Sequence, residues 1–484
     1  MPAERFQMYI EGQWVDADGG RTFEVHNPAD QTVAGIVPDA GVAETRRAIE
    51  AAGRAFPAWS RTPARERGVI LKRVMDLMAQ RRDEIARLVV LENGKPYDEA
   101  KGEVGFSLGY FGWFAEEARR TYGEIVPSPF TGKRFLVLQQ PVGVVGAITP
   151  WNFPANMITR KIAPALAAGC TVVLKPASAT PMTALAIAKA THDAGLPPGV
   201  LNIITAAKSR AIGDELLTNP LVKKIGFTGS TDVGKGLMEQ AAKQIKRISF
   251  ELGGNAPFIV FEDADFEKAL DGAVAMKFLR VGGQSCICAN RIFVQETIAD
   301  RFIPAFVERT KALKVGPGFE PGMQVGPLIN EEARKSMQHF VEDAVARGAE
   351  VLTGGKPYAP PPLDKGFFFE PTVLVDVKDI MPVCVEEIFG PIAPILTFKT
   401  EEEVVRRANA TTYGLAAYFY SRDYARVVRV AEGLEAGLVG VNDAQGYIHE
   451  IPFGGFKESG LGREGGREGI EEYMEVKSLV VNLG

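Results

Sequence analysis

The chain has 484 residues, 46% hydrophobic and 24% charged, enough to bury about three quarters of its unfolded surface and to form about three domains, or two large ones with an insertion. Lys and Arg number 55 against 60 Asp and Glu, a net charge of -5; this excludes a global basic field for nucleic acid or an anionic bilayer and points to a small-molecule partner. The cysteines, Cys170, Cys286, Cys288 and Cys384, are too few and too scattered for a disulfide framework, which favours a reducing compartment.

The N-terminal MPAERFQMYIEGQW carries charge where a secretory signal needs an apolar core, and no apolar run approaches the ~20 residues of a membrane span, so the expected location is the cytoplasm. From Thr62 to Leu91, the apolar Ile70, Val74, Leu77, Met78, Ile85 and Leu88 recur at helical spacing, which predicts one long amphipathic helix. Between 142 and 252, short apolar runs such as VGVVGAI, TVVLK, LNIIT and KKIGFTG alternate with helical ones, the pattern of a parallel sheet covered on both faces. FIVF, RIFVQ and FFFEPTVLVDV then predict a second α/β unit from about 257. Residues 123–141, with KRFLVLQQ as a strand, and the terminal VKSLVVNLG fall outside both sheets; an apolar terminal strand needs a neighbour, and pairing between subunits is the expectation.

Four histidines and four cysteines leave too little material for a transition-metal site, and no metal is expected. A GxGxxG match at Gly460, Gly462 and Gly465 follows FKES rather than a strand, and reads as a flexible segment. In VGGQSCICANR, Cys286, flanked by Arg280 and Arg291, is a stabilised thiolate nucleophile or a buried inert cysteine. In ISFELGGNAPFIVF, Glu251 ends an apolar strand, as a general base over an apolar pocket or as a surface residue. In AITPWNFPANM, Asn152 stands past another strand end, as an oxyanion donor or as the cap of the following helix. Together they supply a nucleophile, a base and an amide donor, each read at a strand exit, where open α/β sheets collect ligands.

TPWNFP, LKPASATP, FTGSTDVG, FELGGNAP, GQSC, EEIFGP and PFGGFKESGLGREGG, in this order and over nearly the whole chain, resemble the aldehyde dehydrogenase superfamily. The resemblance implies an α/β fold with a Rossmann-type cofactor domain (1–122 and 142–253), a second α/β catalytic domain (254–457) and a small β oligomerisation element (123–141 and 458–484), assembled as a homodimer or homotetramer. It implies that Cys286 attacks the aldehyde, Asn152 and the Cys286 N–H hold the oxyanion, and Glu251 activates water for thioester hydrolysis to the free acid. Cofactor contacts fall, by the same resemblance, to Trp151, Lys175, Ser178, Gly229, Ser230, Gly234, Leu252, Glu387 and Phe389. NAD-strict relatives often carry a glutamate at the place of Ser178; a neutral serine removes its repulsion of a 2'-phosphate, so NADP is expected, alone or beside NAD.

CxC at the nucleophile, with MITRKIAPALAAGC, is most similar to succinate-semialdehyde dehydrogenases, in which arginines matching Arg160 and Arg280 bind the substrate carboxylate. The loop DAQGYIHEIPFGG departs from them by bringing Tyr447, Ile448 and His449, which suits a sulfonated or hydroxylated acidic aldehyde as an alternative. The cysteine matching Cys288 forms a disulfide with the nucleophile in some relatives. Other readings remain: a cysteine hydrolase, which would leave the nucleotide constellation idle; a non-catalytic protein on this fold; and a dehydrogenase of betaine-like or aromatic aldehydes, with no use for two arginines at the tail.

Overall fold

In a computed structural model describing residues 4–444 and 446–484, two large sheets meet end to end. The first has eight strands, in the order Gly460–Leu461, Arg247–Glu251, Val222–Thr228, Val144–Ile148, Thr171–Lys175, Leu201–Ile203, Met8–Ile10 and Gln13–Val15. The five strands from Arg247–Glu251 to Leu201–Ile203 are parallel. Central runs such as TVVLK are buried throughout because helices cover both faces. From Val144–Ile148 the chain builds two strands on one side, then returns to Val222–Thr228 on the other. That reversal opens a crevice between the carboxyl ends of Ile148 and Thr228, the place where open sheets bind ligands.

The second sheet has seven strands, in the order Glu350–Thr353, Thr372–Val375, Ile392–Phe398, Ala289–Gln295, Ala256–Val260, Ala416–Tyr420 and Leu438–Val441. All but the first run parallel. Only Leu252–Asn255 separates the end of Arg247–Glu251 from the start of Ala256–Val260. The carboxyl end of one sheet therefore faces the amino end of the other. Glycine is needed at this crossover: a Cβ on Gly254 would lie 2.1 Å from the Cys286 carbonyl, and one on Gly253 2.7 Å from Glu387 Oε2.

Several sequence expectations change. The run from Thr62 to Leu91 forms two helices, Ala64–Gln80 and Arg82–Asn93. Arg81 leaves the helical region at φ -100° and ψ 15°, and its side chain is tied to Asp193 at 2.5 Å; with no Gly or Pro there, the periodicity ran across the break. The terminal strand Met474–Asn482 pairs along its full length with Lys133–Pro141 of the same chain, which also pairs Glu124–Val126. Its outer edge stays open, and Val476 and Val480 are 64% and 62% exposed. The glycine-rich segment at 460 is no loose loop, because Gly460–Leu461 pairs with Phe250 and Glu251 at the edge of the first sheet. Gly460 has φ 141° and lies so close that a Cβ would meet the Phe250 carbonyl at 2.0 Å. Among the described residues no helix is long and apolar enough to cross a membrane.

Candidate active site

The crevice of the first sheet opens into a cavity of about 310 Å³ lined by Pro150, Trp151, Asn152, Thr228, Gly229, Ser230, Leu252, Gly253, Cys286, Glu387 and Phe389. Trp151, Asn152, Gly229, Ser230, Leu252, Cys286, Glu387 and Phe389 were all singled out from sequence. Gly234 lies just behind, where a Cβ would collide with Leu252 at 2.4 Å. Cys286 does not leave a strand, contrary to expectation. It sits on the turn that enters Ala289–Gln295, at the amino end of the second sheet, and reaches the crevice only because the two sheets meet end to end.

Asn152 is 3% exposed, and its Nδ2 donates to the Gln284 carbonyl at 3.1 Å. It does not cap the helix Asn156–Ala168. The N–H groups of Ala155 and Asn156 at that helix start go instead to Glu103 Oε1, at 2.8 and 3.2 Å. One Asn152 amide hydrogen is thereby engaged with the nucleophile turn, and the other is left over.

Glu251 is 3% exposed, and its Oε2 makes no hydrogen bond among the described residues. Burial, with Glu464 nearby, pushes its carboxyl up to about 8. Lys161 Nζ contacts Glu464 Oε1 at 2.5 Å, and Arg160 Nε stands 2.6 Å from Glu464 Oε2. Lys161 and Glu464 were missed in the sequence. Their signal was two adjacent cations inside a wholly buried, mostly apolar helix, which requires a buried anion.

Cys286 carries no lowered pKa. Burial and the carboxyls of Glu251 and Glu387 push its thiol up to about 12, so the sulfur rests protonated rather than as the thiolate expected from the flanking arginines. Arg291 is turned away, donating to the carbonyls of Asn255, Arg407 and Ala408. Cys288 is 1% exposed, with its Sγ 3.4 Å from Lys277 Nζ. It is a free thiol, as is Cys286, and a bridge to Cys286 would require it to leave Lys277.

A second cavity, of about 280 Å³, is lined by Glu99, Gly102, Glu103, Phe106, Phe153, Asn156, Leu279, Arg280 and Tyr447. The Arg280 guanidinium lies 5.6 Å from the Phe153 ring centroid and 5.8 Å from that of Tyr447, and its buried Nε has no hydrogen bond among the described residues. Arg160 is not part of this lining: it is 1% exposed, held by Glu464 and 4.3 Å from the Phe453 ring centroid, with Nη2 making no hydrogen bond among the described residues. Nor is His449, whose Nε2 is 2.6 Å from the Phe106 carbonyl and whose ring stacks on Phe106 at 4.1 Å. Burial lowers its pKa, so the neutral ring donates one hydrogen bond to the main chain and packs as a wall.

The residues fit a dinucleotide. Ser230 precedes the helix Thr231–Ala242 without a side-chain cap bond, which leaves its hydroxyl and the first-turn N–H groups for a phosphate. Glu387 Oε1 accepts the Gly254 N–H at 2.8 Å, and burial pushes its carboxyl up to about 7. Phe389, at φ 53°, turns its ring edge-on to Trp151 at 5.6 Å. At the end of Thr171–Lys175, Lys175 Nζ donates to Ser178 Oγ at 3.1 Å and to Ser209 Oγ at 2.6 Å, and burial lowers its pKa to about 8. Neither partner is a carboxylate. Ser209, with the exposed Lys208 and Arg210 beside it, went unread because the segment AAKSR has no periodicity.

The sequence model described as the aldehyde dehydrogenase family matches residues 14–479. A glutarate-semialdehyde dehydrogenase of Pseudomonas putida is 53% identical, covering 99% of this chain and 98% of its own. An NADP-linked succinate-semialdehyde dehydrogenase of Escherichia coli is 51% identical, with 99% and 98% covered. A 3-sulfolactaldehyde dehydrogenase of P. putida is 50% identical, with 97% and 96% covered. The crystal structure of an E. coli NADP-dependent enzyme superposes with TM-score 0.97 at 51% identity, covering 99% of this chain and 98% of that one. The chain belongs to the aldehyde dehydrogenase family, oxidoreductases that oxidise aldehydes with a nicotinamide dinucleotide.

Proposed function

We propose that this chain oxidises a short anionic aldehyde of the succinic or glutaric semialdehyde kind to the free acid, with NADP or NAD. The observation that carries the reading is the junction: Cys286 and Asn152 line one cavity, and Arg280 lines a second one walled by Phe153, the residue after Asn152. An aldehyde whose anionic tail pairs with Arg280 presents its carbonyl to Cys286. Cys286 gives its thiol proton to solvent as Sγ adds to the carbonyl carbon, and the second Asn152 amide hydrogen and the Cys286 N–H donate to the resulting oxyanion. The nicotinamide, when bound, accepts the hydride. Glu251 then takes a proton from the water that attacks the Cys286 thioester. Glu387 and Phe389 would hold the nicotinamide end, and Lys175 and Ser209 would offer donors at the adenosine end, beside the neutral Ser178, whose hydroxyl donates to the Ala206 carbonyl.

A second reading, an acidic aldehyde that also bears a hydroxyl, sulfonated or not, is favoured by Glu99, which could accept from that hydroxyl. Its Oε1 accepts the Val281 N–H at 2.8 Å, while its buried Oε2 has no hydrogen bond among the described residues. We infer a cytoplasmic homodimer or homotetramer built on the open edge of Met474–Asn482, with residues 1–122 and 142–253 as the cofactor domain and 254–457 as the catalytic domain. NAD(P)H formation at 340 nm across succinic semialdehyde, glutaric semialdehyde, a sulfonated three-carbon aldehyde, a neutral aliphatic aldehyde and betaine aldehyde tests the substrate class. Acidic aldehydes ahead by about tenfold in kcat/KM, roughly 1.4 kcal/mol, support the Arg280 pocket; a neutral or cationic winner removes it.

A further inference from the structure

The helices Arg82–Asn93 and Tyr97–Glu117 lie outside both large sheets, yet Lys95, on the link between them, and Glu103, on the second, reach the turn that carries Asn152. Lys95 is 1% exposed and Glu103 7%. Lys95 Nζ pairs with Glu103 Oε2, donates to the main-chain carbonyl of Asn152 at 2.8 Å, and lies 4.2 Å from the Phe153 ring centroid. Glu103 Oε1 takes the N–H groups of Ala155 and Asn156, standing in for a cap that the helix Asn156–Ala168 lacks. One ion pair therefore grips both ends of the turn that carries Asn152. Asn93 adds a bond from Nδ2 to the Trp151 carbonyl at 3.0 Å.

We propose that Lys95 and Glu103 are positioning residues for carbonyl activation, fixing the main chain of Asn152 so that its amide stands at a set distance from Cys286. The inference rests on the reading of Asn152 as oxyanion donor. A buried ion pair is a poor source of net stability, since desolvation offsets its attraction, and apolar residues of similar volume would join the helices equally well. Apolar residues would not donate to the Asn152 carbonyl or accept two N–H groups at the helix start. Oxyanion donors act only within about 2.7–3.1 Å of the developing charge, and a misplacement of about 1 Å costs on the order of 100-fold.

The test is Lys95→Met in the full-length enzyme. The expected result is a tenfold or greater fall in kcat. The KM for the aldehyde, the NADP dissociation constant, and the rate of Cys286 alkylation by iodoacetamide should change less than threefold. Alkylation needs the thiol but no oxyanion donor, so a general disordering of the site would slow it as well. A kcat within threefold of the parent, or a joint loss of alkylation and NADP binding, overturns the inference. Glu103→Gln keeps the shape and an acceptor oxygen for Ala155 and Asn156 while removing the charge that holds Lys95, and carries the same readouts if Lys95→Met does not fold. Failure of both to fold assigns the pair to the fold alone. Asn152→Ala run in parallel separates the two levels. Retained kcat there removes the oxyanion reading itself, whereas an inactive Asn152→Ala beside a normal Lys95→Met removes only the positioning role.

Discussion

Replacing Glu251 by Gln separates acylation of Cys286 from hydrolysis of the thioester. The carboxyl is buried and pushed up to about 8, so at pH 7 only about one-tenth of the molecules carry the base in its active, deprotonated form. A base works above its pKa; turnover of the parent should therefore rise with pH, nearly tenfold per unit below pH 7, and level off above pH 8 to 9. In Glu251→Gln the water loses its proton acceptor, a loss of ~10²–10⁴-fold in turnover, or about 3–5 kcal/mol. Cys286 and the Asn152 amide are untouched, so rapid mixing with aldehyde and NADP should still give a burst of about one NADPH per active site before the slow phase. Two results refute the reasoning: turnover within threefold of the parent with the same pH profile, or loss of the burst along with turnover, which would make Glu251 necessary for acylation and not only for hydrolysis.

Arg280→Ala should raise KM for an acidic aldehyde by on the order of 100-fold, the loss of one buried charged contact, while a neutral aldehyde of similar length is oxidised as before; equal effects on both would place Arg280 outside the tail site. Ser178→Glu sets a carboxylate beside Lys175 and should raise the NADP KM at least tenfold with NAD little changed, measured as the ratio of kcat/KM for the two cofactors. Because burial keeps His449 neutral and bonded to Phe106, the KM for the acidic aldehyde should stay flat between pH 6.5 and 8, and a His449→Phe variant should keep that KM while lowering Tm; a rise in KM would return the histidine to the substrate pocket. If Cys288 is a redox partner, peroxide inactivation should be reversible by dithiothreitol in the parent and irreversible in Cys288→Ser, as followed by residual activity and free-thiol count.

The two sheets and most residues lining the crevice were legible because continuous apolar runs such as TVVLK and FIVF, and the motifs beside them, are local signals. The break at Arg81 was not, since no Gly or Pro marks it and the partner of its side chain, Asp193, lies 112 residues away. The pairing of Lys133–Pro141 with Met474–Asn482 was half legible: both strands were visible, but nothing local says which edge each one joins. Asn152 had two sequence readings of equal local merit. Glu103, on a distant helix, removes the cap reading by taking the N–H groups at the helix start. Arg160 and His449 show the same limit, because nothing local announces the partners the structure gives them, Glu464 and the Phe106 carbonyl.

The electrostatics of the junction follow from how it is built. Closing the carboxyl end of one sheet against the amino end of the other removes water from Cys286, Glu251 and Glu387 together, and burial raises all three, to about 12, 8 and 7. At neutral pH Glu251 is then mostly protonated and Glu387 about half so, with the nucleophile masked as a thiol. Low dielectric also magnifies any charge that arrives: a unit positive charge a few ångströms from Cys286 is felt about four times more strongly at an effective dielectric of about 20 than in water. Each 1.4 kcal/mol gained by the thiolate lowers the Cys286 pKa by about one unit. An oxidised nicotinamide is cationic and a reduced one is not, so iodoacetamide should alkylate Cys286 at least tenfold faster with NADP than without it or with NADPH. Equal rates in all three conditions would show that burial, and not charge, governs the thiol throughout the cycle.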